Sequence, residues 1–129
     1  MSQAVFSVAR ILVVVLFCVS GAQKLMNPGM VAGAISAKGL PYPQVLAYLT
    51  IAAELGLGLL IALGFYARAA AVLLAVFTLA TIVVFHNFWS MTGDAVRTNQ
   101  IQAMKNLSII GGLLMIAAAG PGRFALNRR

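Results

Sequence analysis

Residues 48–65 carry a single charge, Glu54, in a run that is otherwise uncharged and free of proline. At about 1.5 Å of rise per residue, a run of that length as a helix comes close to spanning the ~30 Å hydrocarbon core of a bilayer. A lone carboxylate at that depth costs roughly 2.5 to 3.5 kcal/mol on insertion scales, and intramembrane charges are paired or face a cavity. The run therefore requires a membrane helix, and Glu54 requires a partner.

The rest of the chain agrees. Hydrophobic residues make up 62% of 129 and the mean hydropathy is +1.00, which leaves too little polar surface to cover a soluble fold. Nine Lys and Arg against Glu54 and Asp94 give a net charge of +7. In a soluble chain that balance suggests nucleic acid, but no basic run interleaved with aromatics exists here to track a phosphate backbone. The cations lie inside or beside apolar spans, or in short loops and a tail suited to anionic headgroups. The expected surroundings are the lipid bilayer, with no nucleic acid partner. Cys18 is the one cysteine, so no intrachain disulfide or dithiol motif can form. No residues have metal-ligand spacing, and no nucleotide-binding motif is present.

Taken in order, the first span is expected at 4–22. Its opening resembles a signal peptide ending at Ser20-Gly21-Ala22, yet it is long enough to cross the membrane. Gln3, Arg10, Phe17 and Lys24 recur at a seven-residue spacing and drift by only ~20° per step, so they form one stripe that should face protein. Residues 30–38 are expected to form a short interfacial helix, stopped by Gly39-Leu40-Pro41-Tyr42-Pro43. The second span is expected at 45–63, with Glu54 on a stripe with Ala47, Ile51, Gly58 and Ile61. A tight turn then leads to a third span at 69–85, and His86-Asn87-Phe88-Trp89 marks an interface. Residues 90–102 are expected to be a surface loop, and 103–119 a fourth span with Lys105 and Asn106 in its first turn. Gly120-Pro121-Gly122 ends it. The fold class is thus an all-α membrane protein: one domain over 1–129, a four-transmembrane-helix bundle with a short interfacial helix between the first two spans. Four spans put both termini on one side. Arg68, Arg123, Arg128 and Arg129 share it, against Lys24, Lys38 and Arg97 on the other, so the positive-inside rule places the termini in the cytoplasm.

Threading the spans alternately brings Lys24, His86, Asn87, Lys105 and Asn106 to the outer helix ends, with Glu54 near mid-depth and Arg10 in the inner half. Arg10, Lys24, Glu54, His86, Lys105 and Asn106 are the candidate ligand-binding residues; no catalytic residue is assignable. One carboxylate faces up to three fixed cations and a titratable imidazole, so a shared pocket would be electropositive and suited to a small anion or a carbonyl-rich headgroup such as a quinone. The alternatives are a buried Arg10–Glu54 pair that fixes helix register, a headgroup-level histidine, and a simple helix start at Lys105.

These residues resemble the DoxX family of small bacterial membrane proteins. The resemblance rests on Arg10, Ser20-Gly21-Ala22-Gln23-Lys24-Leu25, Gly39-Leu40-Pro41, Glu54-Leu55-Gly56-Leu57-Gly58, Leu63-Gly64-Phe65 with Arg68, His86, and residues 104–114 with Gly120-Pro121-Gly122. It implies a four-helix inner-membrane protein associated with sulfur and quinone redox, as a subunit of thiosulfate:quinone oxidoreductase in some archaea and a partner of antioxidant and sulfurtransferase proteins in some actinobacteria. Related four-helix proteins include chaperone-like and sterol-binding members. The expected role is an accessory membrane subunit in redox or sulfur and oxidative-stress chemistry, with a soluble redox or sulfurtransferase partner and quinone as the candidate cofactor. The alternatives are a non-catalytic lipid- or hydrophobe-binding or transport protein, and an assembly protein. Small-residue pairs such as Ala52 with Gly56 and Ala67 with Ala71 offer faces for a homo-oligomer.

Overall fold

A computed structural model of the chain describes residues 2–129. Four apolar segments are long enough to cross a membrane, Gln3–Met26, Pro43–Leu63, Ala67–Ser90 and Asp94–Ala119, with the shorter Pro28–Ala37 between the first two. The α-helices are α1 (Gln3–Met26), α2 (Pro28–Ala37), α3 (Pro43–Ile51), α4 (Gly58–Leu63), α5 (Ala67–Phe85) and α6 (Asp94–Ala119). The second span is α3 and α4 joined end to end by a π-helical segment, Ala52–Leu57. No strand occurs among the described residues, so the all-α bundle with an interfacial helix is the architecture found.

Local chemistry sets the helix boundaries. Ser2 caps α1 by accepting from the Val5 amide at 3.5 Å, and Asn27 caps α2 by accepting from the Met30 amide at 3.3 Å, just ahead of Pro28 in the first turn. The expected loop at 90–102 is not a loop beyond Gly93, because α6 begins at Asp94 and runs 26 residues. At about 1.5 Å per residue that helix is some 9 Å longer than a ~30 Å core. Its first turns therefore stand in water and need no apolar periodicity, and Asp94 complements the helix dipole there. Hydropathy located the membrane, not the helix. Lys105 and Asn106 accordingly lie three turns inside α6 rather than at its start.

The core runs between α1, α4, α5 and α6 through Val14, Phe17, Ile61, Leu74, Leu113 and Ile116. Ala67, Ala70, Ala71 and Ala75 of α5 are buried in it, and these small side chains let helices approach closely. Ala67 and Ala71 are thus spent within the chain, whereas Ala52 and Gly56 face outward. Leu12, Val19, Val76, Leu79, Leu107 and Leu114 are large, apolar and exposed, as lipid-facing positions must be. Helix α2 folds back against the start of the second span, where Ala32 and Ile35 pack on Ala47.

Helix α1 crosses the second span at very short range. A Cβ on Gly21 would lie 2.7 Å from the Leu55 amide nitrogen, and one on Gly58 would lie 3.1 Å from Cys18 Sγ. This crossing sets the position of everything polar on the two helices. The chain ends meet at one face of the bundle, where the Arg123 amide donates to Gln3 Oε1 at 2.9 Å.

Candidate functional site

Glu54 sits in the π-helical segment and is 7% exposed. A π turn adds a residue to the helical register, a distortion concentrated at functional sites, and here Glu54, Leu55 and Gly58 all meet α1. Lys24 Nζ donates to Glu54 Oε1 at 2.9 Å. Ser20 Oγ, one turn earlier on α1, donates to Oε2 at 3.3 Å. Both carboxylate oxygens are therefore engaged by one helix. The ammonium is not saturated, since it has three protons and Glu54 takes one. The Lys24 side chain is 35% exposed against 9% for that of Glu54, so the cation faces outward from a buried anion.

The other candidate residues lie elsewhere. Arg10 is 4% exposed and does not meet Glu54. Its Nη2 donates to Ala62 O at 3.1 Å and Phe124 O at 2.8 Å, while Nη1 donates to Pro121 O. Ala62 is some 12 Å along the second span from Glu54, at about 1.5 Å per residue. A permanently charged guanidinium with five donors is suited to gathering carbonyls that have no helical partner. The vertical gap that an Arg10–Glu54 pair would have bridged is left open because each group finds nearer partners.

His86 caps the far end of α5, with Nδ1 3.0 Å from Asn99 Oδ1 on α6. Asn99 Nδ2 donates to Ala95 O at 2.9 Å, so its oxygen faces the ring and can accept from Nδ1 when that nitrogen carries a proton. Asn106 is buried and donates to Thr81 Oγ1 at 3.3 Å, tying α6 to α5. Lys105 is exposed and donates to Gln102 on its own helix at 2.6 Å. The six residues therefore do not gather round one cavity. The structure joins Lys24 to Glu54, puts Arg10 at the termini's face, His86 and Asn106 at the α5–α6 seam, and Lys105 on the outside.

Next to the Glu54 stripe, α2 and the first turns of α3 enclose a groove of ≈ 410 Å³ lined by Pro28, Ala32, Ser36, Gln44, Ala47 and Tyr48. Ala47 is two helical turns from Glu54 on the stripe they share.

Two features escaped the sequence. Ser20 could have been found, since it precedes Lys24 by four residues and so shares its face. The C-terminal tail could not. Leu126 N donates to Leu63 O and Asn127 N to Gly64 O, each at 3.1 Å, and Asn127 Oδ1 accepts from Tyr66 N at 2.9 Å. Tyr66 adopts φ 50, a left-handed conformation unfavourable for a side chain of this size; the tail bonds hold it there.

The DoxX family model matches residues 5–87. The chain belongs to the DoxX family. It is 41% identical to the inner membrane protein YphA of Escherichia coli (strain K12) over 95% of this chain and 87% of that protein. It is 37% identical to the inner membrane protein YqjF of the same strain, over 94% and 88%. It is also 32% identical to the uncharacterized membrane protein Rv3486 of Mycobacterium tuberculosis (strain ATCC 25618 / H37Rv), over 93% and 77%. No solved structure matches the chain. With four membrane-length helices and relatives of the inner membrane, this DoxX protein is a multi-pass inner-membrane protein in contact with the lipid bilayer. The family match ends before α6 and the tail, the part of the chain that supplies Asn99, Asn106 and two of the three acceptors of Arg10.

Proposed function

We propose that this DoxX protein is an accessory membrane subunit in redox or sulfur-stress chemistry that binds a quinone-like headgroup or a small anion at Lys24. The observation that carries the reading is the Lys24–Glu54 pair itself. Both Glu54 oxygens are engaged, one by Lys24 and one by Ser20, so its task is positioning. Lys24 keeps two protons free and is the more exposed partner, so its task is donation to a carbonyl or anionic oxygen. The neighbouring groove of ≈ 410 Å³ is within the size range of small-molecule sites, and its mainly apolar lining suits a ring or an isoprenoid tail. The single cysteine cannot form a dithiol couple within the chain, so turnover needs a redox or sulfurtransferase partner, for which the membrane subunit would hold the ligand.

The test is native mass spectrometry of protein purified in mild detergent, wild type against Lys24→Gln and Glu54→Gln. A quinone adduct in wild type, lost in Lys24→Gln and weakened in Glu54→Gln at equal abundance, is the expected result. A phospholipid adduct indifferent to both substitutions would instead indicate a lipid-binding protein. Collapse of abundance with unchanged binding per molecule would reduce the pair to a fastener of helix register.

A further inference from the structure

The termini's face holds a second polar region that the Lys24–Glu54 reading does not use. A cleft of ≈ 440 Å³ opens there, lined by Gln3, Arg68, Arg123 and Arg128 over the backbone of Ala119 to Arg123. We propose that it is a binding site for a phosphate group, carried by an anionic lipid headgroup or free in solution.

Charge comes first. Three arginines and no carboxylate line the cleft, and guanidinium forks match phosphate oxygens bidentately. Arg68 is held in place: Nη1 donates to Ala117 O at 3.0 Å and Ala118 O at 2.6 Å, and the guanidinium lies against Gly120, where a Cβ would come within 2.9 Å of Nη2. The last carbonyls of α6 are thereby neutralised, so the negative end of that helix does not oppose an anion. Arg123 and Arg128 differ. Their side chains make no hydrogen bond or ion pair among the described residues, although the Arg123 backbone is fixed to Gln3. Arg129, by contrast, donates to the Tyr66 hydroxyl at 3.1 Å and lies over its ring. Helices α1 and α5 both begin at this face, and their positive dipole ends point toward it, although the Val5 amide already donates to Ser2 and the Arg68 amide to Arg129 O.

Depth points the same way. The cleft lies where α1 starts and α6 stops, at the level where the spans leave hydrocarbon. On the tail, Phe124 and Leu126 are 59% and 67% exposed, an apolar pair that belongs in the interface rather than in water. Arg123 and Arg128 flank that pair and so sit at the level of lipid phosphates.

The experiment uses the full chain in detergent and in nanodiscs, wild type against Arg123→Gln/Arg128→Gln. Arg68 is left intact because it caps α6. Native mass spectrometry with phosphatidylglycerol and with phosphatidylcholine should show a retained anionic lipid in wild type. The double variant should bind it about 30-fold more weakly, from about one decade per 1.4 kcal/mol and about 1 kcal/mol per arginine at a charged surface. Inorganic phosphate titrated against thermal unfolding separates the sources. Saturable stabilisation that displaces the lipid identifies a site for free phosphate, and lipid retention unaffected by phosphate identifies a headgroup site. Equal retention of both lipids together with no phosphate effect in wild type would overturn the proposal, as would anionic binding unchanged in the double variant. Failure of the Lys24 tests leaves this result untouched, because the two sites lie at opposite ends of the bundle.

Discussion

Arg10→Met should release the C-terminal tail. Of the three carbonyls that Arg10 holds, one belongs to α4 and two, those of Pro121 and Phe124, to the tail. Hydrogen bonds to a charged group contribute about 1.5 to 3 kcal/mol each, so the tail loses roughly 3 kcal/mol at the low end of that range. The low end applies because the bond to Phe124 O is only partly buried, so water can replace part of what is lost once the tail opens. The tail keeps its backbone bonds from Leu126 and Asn127, so it should open far more often without detaching permanently. When opening is fast relative to cutting, cleavage follows the open population, and about 3 kcal/mol corresponds to roughly a hundredfold at 1.4 kcal/mol per decade. The assay is trypsin cleavage after Arg123 in detergent micelles, followed by mass spectrometry of the released residues 124–129. Arg10→Lys keeps the charge but not the fork and should fall between. Cleavage within threefold of wild type in Arg10→Met, with helix content unchanged by circular dichroism, would refute the idea that this arginine holds the tail.

Gly21→Ala should destabilise the bundle by about 1 to 3 kcal/mol, the usual cost of overpacking, since its Cβ meets the Leu55 backbone at 2.7 Å; Gly111→Ala, which meets nothing within 4 Å, should be neutral or slightly stabilising in the same thermal-unfolding assay. Lys105→Gln should leave ligand retention at the wild-type level, because that ammonium faces away from the bundle and bonds only Gln102; a loss equal to that of Lys24→Gln would relocate the site. Cysteine labelling in spheroplasts of a Cys18→Ser background should modify a cysteine placed at Arg97 from the periplasm and one placed at Arg129 only after lysis, as expected from the arginines gathered at the termini's face.

The bundle was legible because a bilayer imposes one rule, that every backbone polar group be satisfied within the segment, and apolar run length reports directly on it. Glu54 was legible for the same reason: charge is so scarce in these spans that any ionised residue stands out and its need for a partner can be stated in advance. The identity of that partner was not. Arg10 and Lys24 share one stripe of α1, and spacing alone does not choose between them; the Gly21–Leu55 crossing places Lys24 and Ser20 level with Glu54 and leaves Arg10 below. The start of α6 was hidden because its first turns leave the membrane and lose the periodicity that marks a helix.

Sequence alone determined the number of spans, the medium they occupy and the one buried carboxylate, since each follows from transfer free energies that act residue by residue. Tertiary structure decided which cation meets Glu54, that Lys105 faces outward, and that Arg10 serves carbonyls rather than a ligand. Those outcomes depend on helix rotation and crossing depth, which are set by where a glycine lets two backbones touch. The tail is the extreme case, because its ten residues, Gly120 to Arg129, carry no periodicity, and only the carbonyls and glycines of distant helices define where it lies.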